Sequence, residues 1–208
     1  MKGISIFLSV VLILIGAVTA NAIPITPIKA EAWSYQNDNY KPENLVNNSG
    51  LNGQGLHDDD FKNMWMSQQN SGFGSLTFDL GNEYSITSAK IWQYNYKSAD
   101  TLSRGVQNFK IYSSLNGSAF DLVISTSLQE STGEDWIAAQ NVTFGSTVLA
   151  DHIRFDILSN YGDTKSTGLS EVKFNGVNPV PEPATLLLLG VGLVGLAGFG
   201  RKKLIKYK

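Results

Sequence analysis

Three short stretches of the 208-residue chain set large aromatic side chains beside planar polar ones. Trp33 and Tyr35 flank Ser34, Tyr94, Asn95 and Tyr96 stand consecutively ahead of Arg104, and Asn160 precedes Tyr161. An aromatic face packs against the C–H face of a sugar ring, while amide, hydroxyl and guanidinium groups match its hydroxyls. Trp33, Tyr35, Tyr94, Asn95, Tyr96, Arg104, Asn160 and Tyr161 therefore form the candidate ligand-binding set. Trp65 and Trp92 read instead as core aromatics. For Tyr94, Asn95 and Tyr96 both readings stay open, because large polar-tipped residues are costly to bury without partners. Arg104 suits a structural hydrogen-bond network as well as a ligand contact.

Catalytic chemistry is poorly provided for. The sequence has no H-E-x-x-H, no G-x-S-x-G and no phosphate-cradling glycine loop. Its two histidines, His57 and His152, are far apart in the chain. The absence of cysteine excludes a thiol nucleophile, a thiolate metal site and a disulfide framework. The pairs Glu134–Asp135 and Asp79/Glu83 could imitate a glycosidase pair, but such pairs are common on surface loops. The expectation is a non-enzyme, and a glycan hydrolase is the least favoured reading. A formal charge of −2 gives no electrostatic case for nucleic acid.

The elements that must position these residues are short strands. Residues 75–80 and 106–112 alternate apolar and polar positions. Residues 86–92, 120–124, 142–144, 152–158 and 169–174 are further strand candidates. Gly81-Asn82, Asn116-Gly117 and Tyr161-Gly162-Asp163 are turn signals between them. No amphipathic helix longer than two turns appears in this region. The pattern predicts an all-β sandwich or barrel.

The two ends read differently. Residues 1–22 have a basic start, an apolar run and small residues at Ala20 and Ala22, the pattern of a signal peptide. Pro179, Pro181 and Pro183 break regular structure, and residues 184–200 then carry no charge. Seventeen residues at helical rise reach about 25 Å, enough for a thin bilayer core, with Arg201, Lys202 and Lys203 on the cytoplasmic side. The expected division is a signal peptide helix over 1–22, a β domain over 23–178 and a sorting tail with a hydrophobic helix over 179–208.

The tail resembles the PEP-CTERM sorting signal of Gram-negative bacteria: Pro181-Glu182-Pro183, an apolar glycine-containing stretch, then Arg201-Lys202-Lys203. The resemblance implies recognition by an exosortase, removal of the tail and transient inner-membrane anchoring with the domain outside. It also implies release or attachment at the cell surface, and association with exopolysaccharide and biofilm.

A second resemblance covers the middle. In order it runs through Tyr40-Lys41-Pro42-Glu43-Asn44-Leu45-Val46, Met64-Trp65-Met66-Ser67, Leu76-Thr77-Phe78-Asp79-Leu80-Gly81, Ile91-Trp92-Gln93-Tyr94-Asn95 and Arg104-Gly105-Val106. Ser113-Ser114-Leu115-Asn116-Gly117 and Gly168-Leu169-Ser170-Glu171-Val172-Lys173-Phe174 complete it. This set is similar to the discoidin domain, the coagulation factor 5/8 type C module with a galactose-binding-like fold. It implies an eight-stranded antiparallel jelly-roll sandwich that binds sugars or anionic headgroups in loops at one end. It also implies a structural calcium ion, whose matching positions are Asn44, Asn47, Glu171 and the Ser170 carbonyl. Asn47 stands where the family usually has Asp, which weakens the site. Asp58-Asp59-Asp60 could supply charge, but reads more simply as a solvated loop. The function implied is an exported, non-catalytic carbohydrate-binding protein. The alternative is a structural matrix or protein-interaction module that binds no sugar.

Overall fold

Alternation along the sequence becomes alternation of burial in the computed structural model, which describes residues 22–98, 100–178 and 189–193. Eight strands form: β1 (Ile23–Ile25), β2 (Lys29–Ala32), β3 (Trp65–Met66), β4 (Ser75–Gln93), β5 (Asn108–Ser114), β6 (Asp121–Ser127), β7 (Gln140–Ile157) and β8 (Gly168–Val177). Every pairing between them is antiparallel. The order is β1-β8-β4-β7-β5-β6, with β2 on β4 and β3 on β8. The eight-stranded antiparallel jelly-roll sandwich read from the sequence is the fold observed.

Two strands are longer than the sequence suggested. The candidates at 75–80 and 86–92 fuse into β4, and those at 142–144 and 152–158 fuse into β7. Gly81-Asn82 is not a chain reversal. The β4–β7 ladder slips between Asp79 and Tyr84, and Gly81 lies there at φ +77. Glycine reaches that conformation without steric cost, so the strand bends and continues.

The bend folds the sheet over itself. Phe78 lies before it and Ala89 after it, separated by roughly 35 Å of extended chain. Phe174 on β8 is the ladder partner of Ala89, yet its ring lies 5.8 Å from that of Phe78. Phe155 stands 5.0 Å from Phe78, 5.2 Å from Phe109 and 6.2 Å from Phe174. These four buried rings, with Leu76, Ile91, Ile111, Ile153 and Val172, fill the space between the layers. Edge-to-face rings at such spacings add to simple area burial.

The connections after β2, β4, β6 and β7 converge at one end. Isolated bridges tie them together: His57 to Ile137, Gly105 to Gly168 and Val106 to Asn160. All eight candidate ligand-binding residues belong to these connections. Residues 1–21 of the expected signal peptide, and the Pro-Glu-Pro and Arg-Lys-Lys motifs, lie outside the described residues. Residues 189–193 are helical, and among the described residues no helix is long and apolar enough to cross a membrane.

Candidate functional site

Met66 closes β3, and its sulfur meets two polar groups. The Tyr94 hydroxyl lies 3.7 Å from it and one Arg104 terminal nitrogen 3.6 Å from it. Arg104 in turn donates from Nε to Asp163 Oδ2 at 3.2 Å. Asp163 is held by its own loop, since the backbone N–H groups of Lys165 and Ser166 both donate to its Oδ1 at 2.7 Å. Burial works against the Asp163 charge. The two amides and the guanidinium outweigh it and hold the carboxyl below its ordinary range. Burial likewise opposes the Arg104 charge, but its bonds with Asp163 and Tyr94 keep it firmly protonated. Burial pushes the Tyr94 hydroxyl up, so it stays a neutral donor.

An aromatic shelf adjoins this network. Tyr40 and Phe61 lie 5.3 Å apart and Phe61 meets Tyr96 edge-on at 5.3 Å. Asp60 caps the 3-10 turn Phe61–Asn63 by accepting from Lys62 N–H at 3.0 Å, which fixes the Phe61 backbone. On the other side of Asp163 a cavity of about 310 Å³ opens between Gly72, Phe73 and residues 163–167, with Asn160 in its wall. Phe73 is 49% exposed there. Gly74 lets the chain turn past Trp33, because a Cβ at this position would fall 2.4 Å from the indole. The cavity therefore brings together Phe73, Lys165 and Asp163, and Arg104 pairs with Asp163.

The sequence-derived residues occupy different parts of this end. Tyr94, Tyr96 and Arg104 come together around Met66. Tyr35 is exposed. Trp33 packs edge-on against buried Trp65 at 5.0 Å. Asn160 lines the cavity but commits its amide to the Asp163 and Ser166 carbonyls and the Thr167 hydroxyl, as a loop bracket. The Tyr161 hydroxyl donates to the Leu128 carbonyl. Asn95 is fully buried and points to the other side of the segment, where it holds Ser131 and the Glu134 carbonyl. Trp65 and Trp92 are buried, their indole N–H groups donating to the Ser34 and Gly55 carbonyls. Phe73, Tyr40, Phe61, Met66 and Asp163 were not among the ligand-binding candidates; Tyr40 and Met66 entered only through the resemblance and Asp163 only as part of a turn signal. An aromatic between two glycines, Gly72-Phe73-Gly74, was the one signal available for Phe73.

A second group of residues gathers where β8 meets the loop after β2. Glu171 is completely buried, accepts only a 3.3 Å bond from Asn48 N–H at Oε1, and leaves Oε2 without a partner. Burial pushes its carboxyl up to about 8. The buried Ser49 hydroxyl is also unpartnered. The ladder skips Ser170, since Trp92 pairs with Glu171 and Gln93 with Leu169, which releases its backbone from regular pairing. Asn44 donates toward the Asn39, Lys62 and Met64 carbonyls, and its Oδ1 faces Asn47 Nδ2 at 3.4 Å. Asn47 Oδ1 accepts from Ser49 N–H. The unpartnered Oε2 of this one buried carboxylate is the feature that fits a hard cation, and a single charge fits it weakly; among the described residues no cluster of three or more acidic, His or Cys side chains gathers to hold a metal. Asp58 and Asp60 are engaged in their own loop: Asp58 accepts from Asn63 Nδ2 and Asp60 caps the next turn.

The family model "F5/8 type C domain" matches residues 29–172, and this chain belongs to that family. The "PEP-CTERM protein-sorting motif" matches residues 179–202. Among solved structures, the family 32 CBM (carbohydrate-binding module) of C. perfringens NanJ in complex with galactose is 18% identical. It covers 74% of this chain and 98% of its own, with a TM-score of 0.53. CBM32-3 from a family 31 glycoside hydrolase of Clostridium perfringens is 21% identical, covering 74% and 94%, with a TM-score of 0.54. The CBM32 of AlyQ in complex with 4,5-unsaturated mannuronic acid is 20% identical, covering 73% and 97%, with a TM-score of 0.52. At these identities the likeness concerns the fold. No match was found among curated proteins.

Proposed function

We propose that this protein is an exported, non-catalytic carbohydrate binder of the bacterial cell surface, which engages exopolysaccharide through its loop end. The observation that carries the reading is Asp163, which links the Arg104–Met66–Tyr94 network to the cavity faced by exposed Phe73. A sugar ring would rest on Phe73 while Asp163 accepts from its hydroxyls and Lys165 donates. Arg104 fixes Asp163 in its charged form and geometry, so recognition starts from a preorganised site. The ligands of the CBM32 neighbours, galactose and an unsaturated mannuronic acid, support a glycan as the ligand class. No step of this account requires a nucleophile or an acid–base pair.

The sorting motif supports processing by an exosortase near Pro181-Glu182-Pro183; transient inner-membrane anchoring and a role in a biofilm matrix belong to the same proposal. Retention on immobilised galactan and alginate tests the reading. Retention at micromolar protein is expected. Passage through every polysaccharide, with self-assembly that grows with concentration, would show a structural matrix module instead.

Glu171, with Asn44, Asn47 and the Ser170 carbonyl around it, would hold calcium. The ion would supply positive charge to a buried carboxylate and so tie β8 to the loop after β2. With a dissociation constant of about 1 mM, typical of extracellular modules, 10 mM calcium adds about 1.4 kcal/mol. That corresponds to a rise in melting temperature of about 3–5 °C. Glu171→Gln should fold and lose this response. A melting curve unchanged by both calcium and chelator would contradict the site.

A further inference from the structure

The chain leaving β4, from its last residue Gln93 to Tyr96, sends alternate side chains to opposite sides. Tyr94 and Tyr96 face the shelf and Met66, whereas Gln93 and Asn95 face the loop between β6 and β7. On that second side lies an open cleft of about 360 Å³, walled by Leu56, Gln93 and parts of the loop between β6 and β7, among them Glu130, Glu134 and Trp136. This volume falls within the roughly 300–1,000 Å³ of small-molecule sites. Trp136 lines it and is 45% exposed, although tryptophan is ordinarily among the most covered side chains of a folded domain.

The loop carrying Trp136 is pinned by buried polar groups. Gln93, 1% exposed, donates to the Gln129 carbonyl at 3.0 Å and to that of Val106 at 2.8 Å. Gln140 accepts from Gln129 N–H at 2.6 Å and donates to its carbonyl at 2.8 Å. Asn95, fully buried, donates to the Glu134 carbonyl at 2.7 Å and accepts from the Ser131 hydroxyl. Ile137 exchanges two 2.9 Å backbone bonds with His57. Between these anchors Glu130, Thr132, Glu134 and Trp136 remain exposed. Glu130 and Glu134 line the cleft, and among the described residues no Lys or Arg does. The cavity beside Phe73, by contrast, contains Lys165.

We propose that this cleft is a second glycan-binding site, taking a neutral or amino-sugar unit stacked on Trp136, with Glu130 and Glu134 accepting from its hydroxyl or ammonium groups. The absence of a lining cation disfavours uronate units here. The inference rests on the glycan reading and adds a second contact on the opposite side of residues 93–96. Two sites on one domain let a single extended polysaccharide be held at two points, which multiplies apparent affinity without new contacts at either.

The test is titration of the full chain with chitosan oligosaccharide, galactan and alginate, followed through the NMR indole N–H signal that disappears in Trp136→Ala. With chitosan oligosaccharide or galactan this signal is expected to move, and Trp136→Ala to bind about tenfold more weakly at an unchanged melting temperature. If the signal stays still while amides of residues 72–73 and 163–167 move, the second site is overturned and the glycan reading stands. If neither set moves with any probe, the glycan reading fails and takes the second site with it. An alginate response as large as the others overturns the ligand class.

Discussion

Asp163 carries most of the site's electrostatics at the scale of single residues. It faces one half-buried guanidinium and two backbone amides, and it is the shared wall of network and cavity. His57 sets a different limit. It is fully buried, donates from Nδ1 to the Asp58 carbonyl at 3.0 Å, and its Nε2 has no partner. Burial lowers its affinity for a proton, against the opposing pull of the Asp58 carbonyl and carboxylate. The folded state therefore binds this proton more weakly than the unfolded chain, whose histidine titrates at its ordinary 6.5. Stability from neutral His57 is complete above about 6.5 and falls as pH drops from there toward the lowered folded value. Glu171, with its raised carboxyl, acts in the opposite direction over the same range, so the His57 contribution is read as a difference: the gap in melting temperature between wild type and His57→Gln is expected to shift against the wild type as pH drops from 7.5 to 5, and a gap that does not change with pH would exclude His57 as a source of pH dependence. Single residues were unevenly legible in the sequence. Trp65 and Trp92 were readable as core, because large aromatics inside apolar runs have few other uses. Asn95 and Asn160 were not readable as brackets, since their roles depend on which loop lies opposite. Phe73 was missed because one aromatic between glycines has no period.

At the scale of elements, the domain depends on two bent strands. β4 and β7 each serve both layers, and the slip at Asp79/Tyr84 is where the change of layer occurs. Phe155 on β7 touches rings from three other strands, so it is the point where the layers are joined. Phe155→Ala is expected to cost about 3–5 kcal/mol, read as a shift in urea midpoint at an unchanged slope. A cost below 1 kcal/mol would mean that the layers do not meet through this ring. Period-2 patterning made the strands legible, but not their continuity. Gly81-Asn82 looks the same in a hairpin and in a bend, and the difference lies in pairing with β7, sixty or more residues away in sequence. The loop end was legible as a place rich in polar-tipped aromatics. Its division into two sides was not, because it follows from the alternation of residues 93–96.

For the whole molecule, the β domain is followed by an address. Mass spectrometry of protein from its native host is expected to find a mature chain that starts near Ile23 and ends near Pro181-Glu182-Pro183. A chain still ending at Lys208 would make the tail a permanent part of the protein. The central claim is that the loop end holds a glycan against Phe73. Affinity electrophoresis of wild type and Phe73→Ala through gels containing galactan or alginate tests it most directly. Wild type should be retarded by at least one of these, and Phe73→Ala should run about tenfold less retarded while melting at the wild-type temperature. Equal retardation of the two proteins, or none of the wild type, would contradict the account.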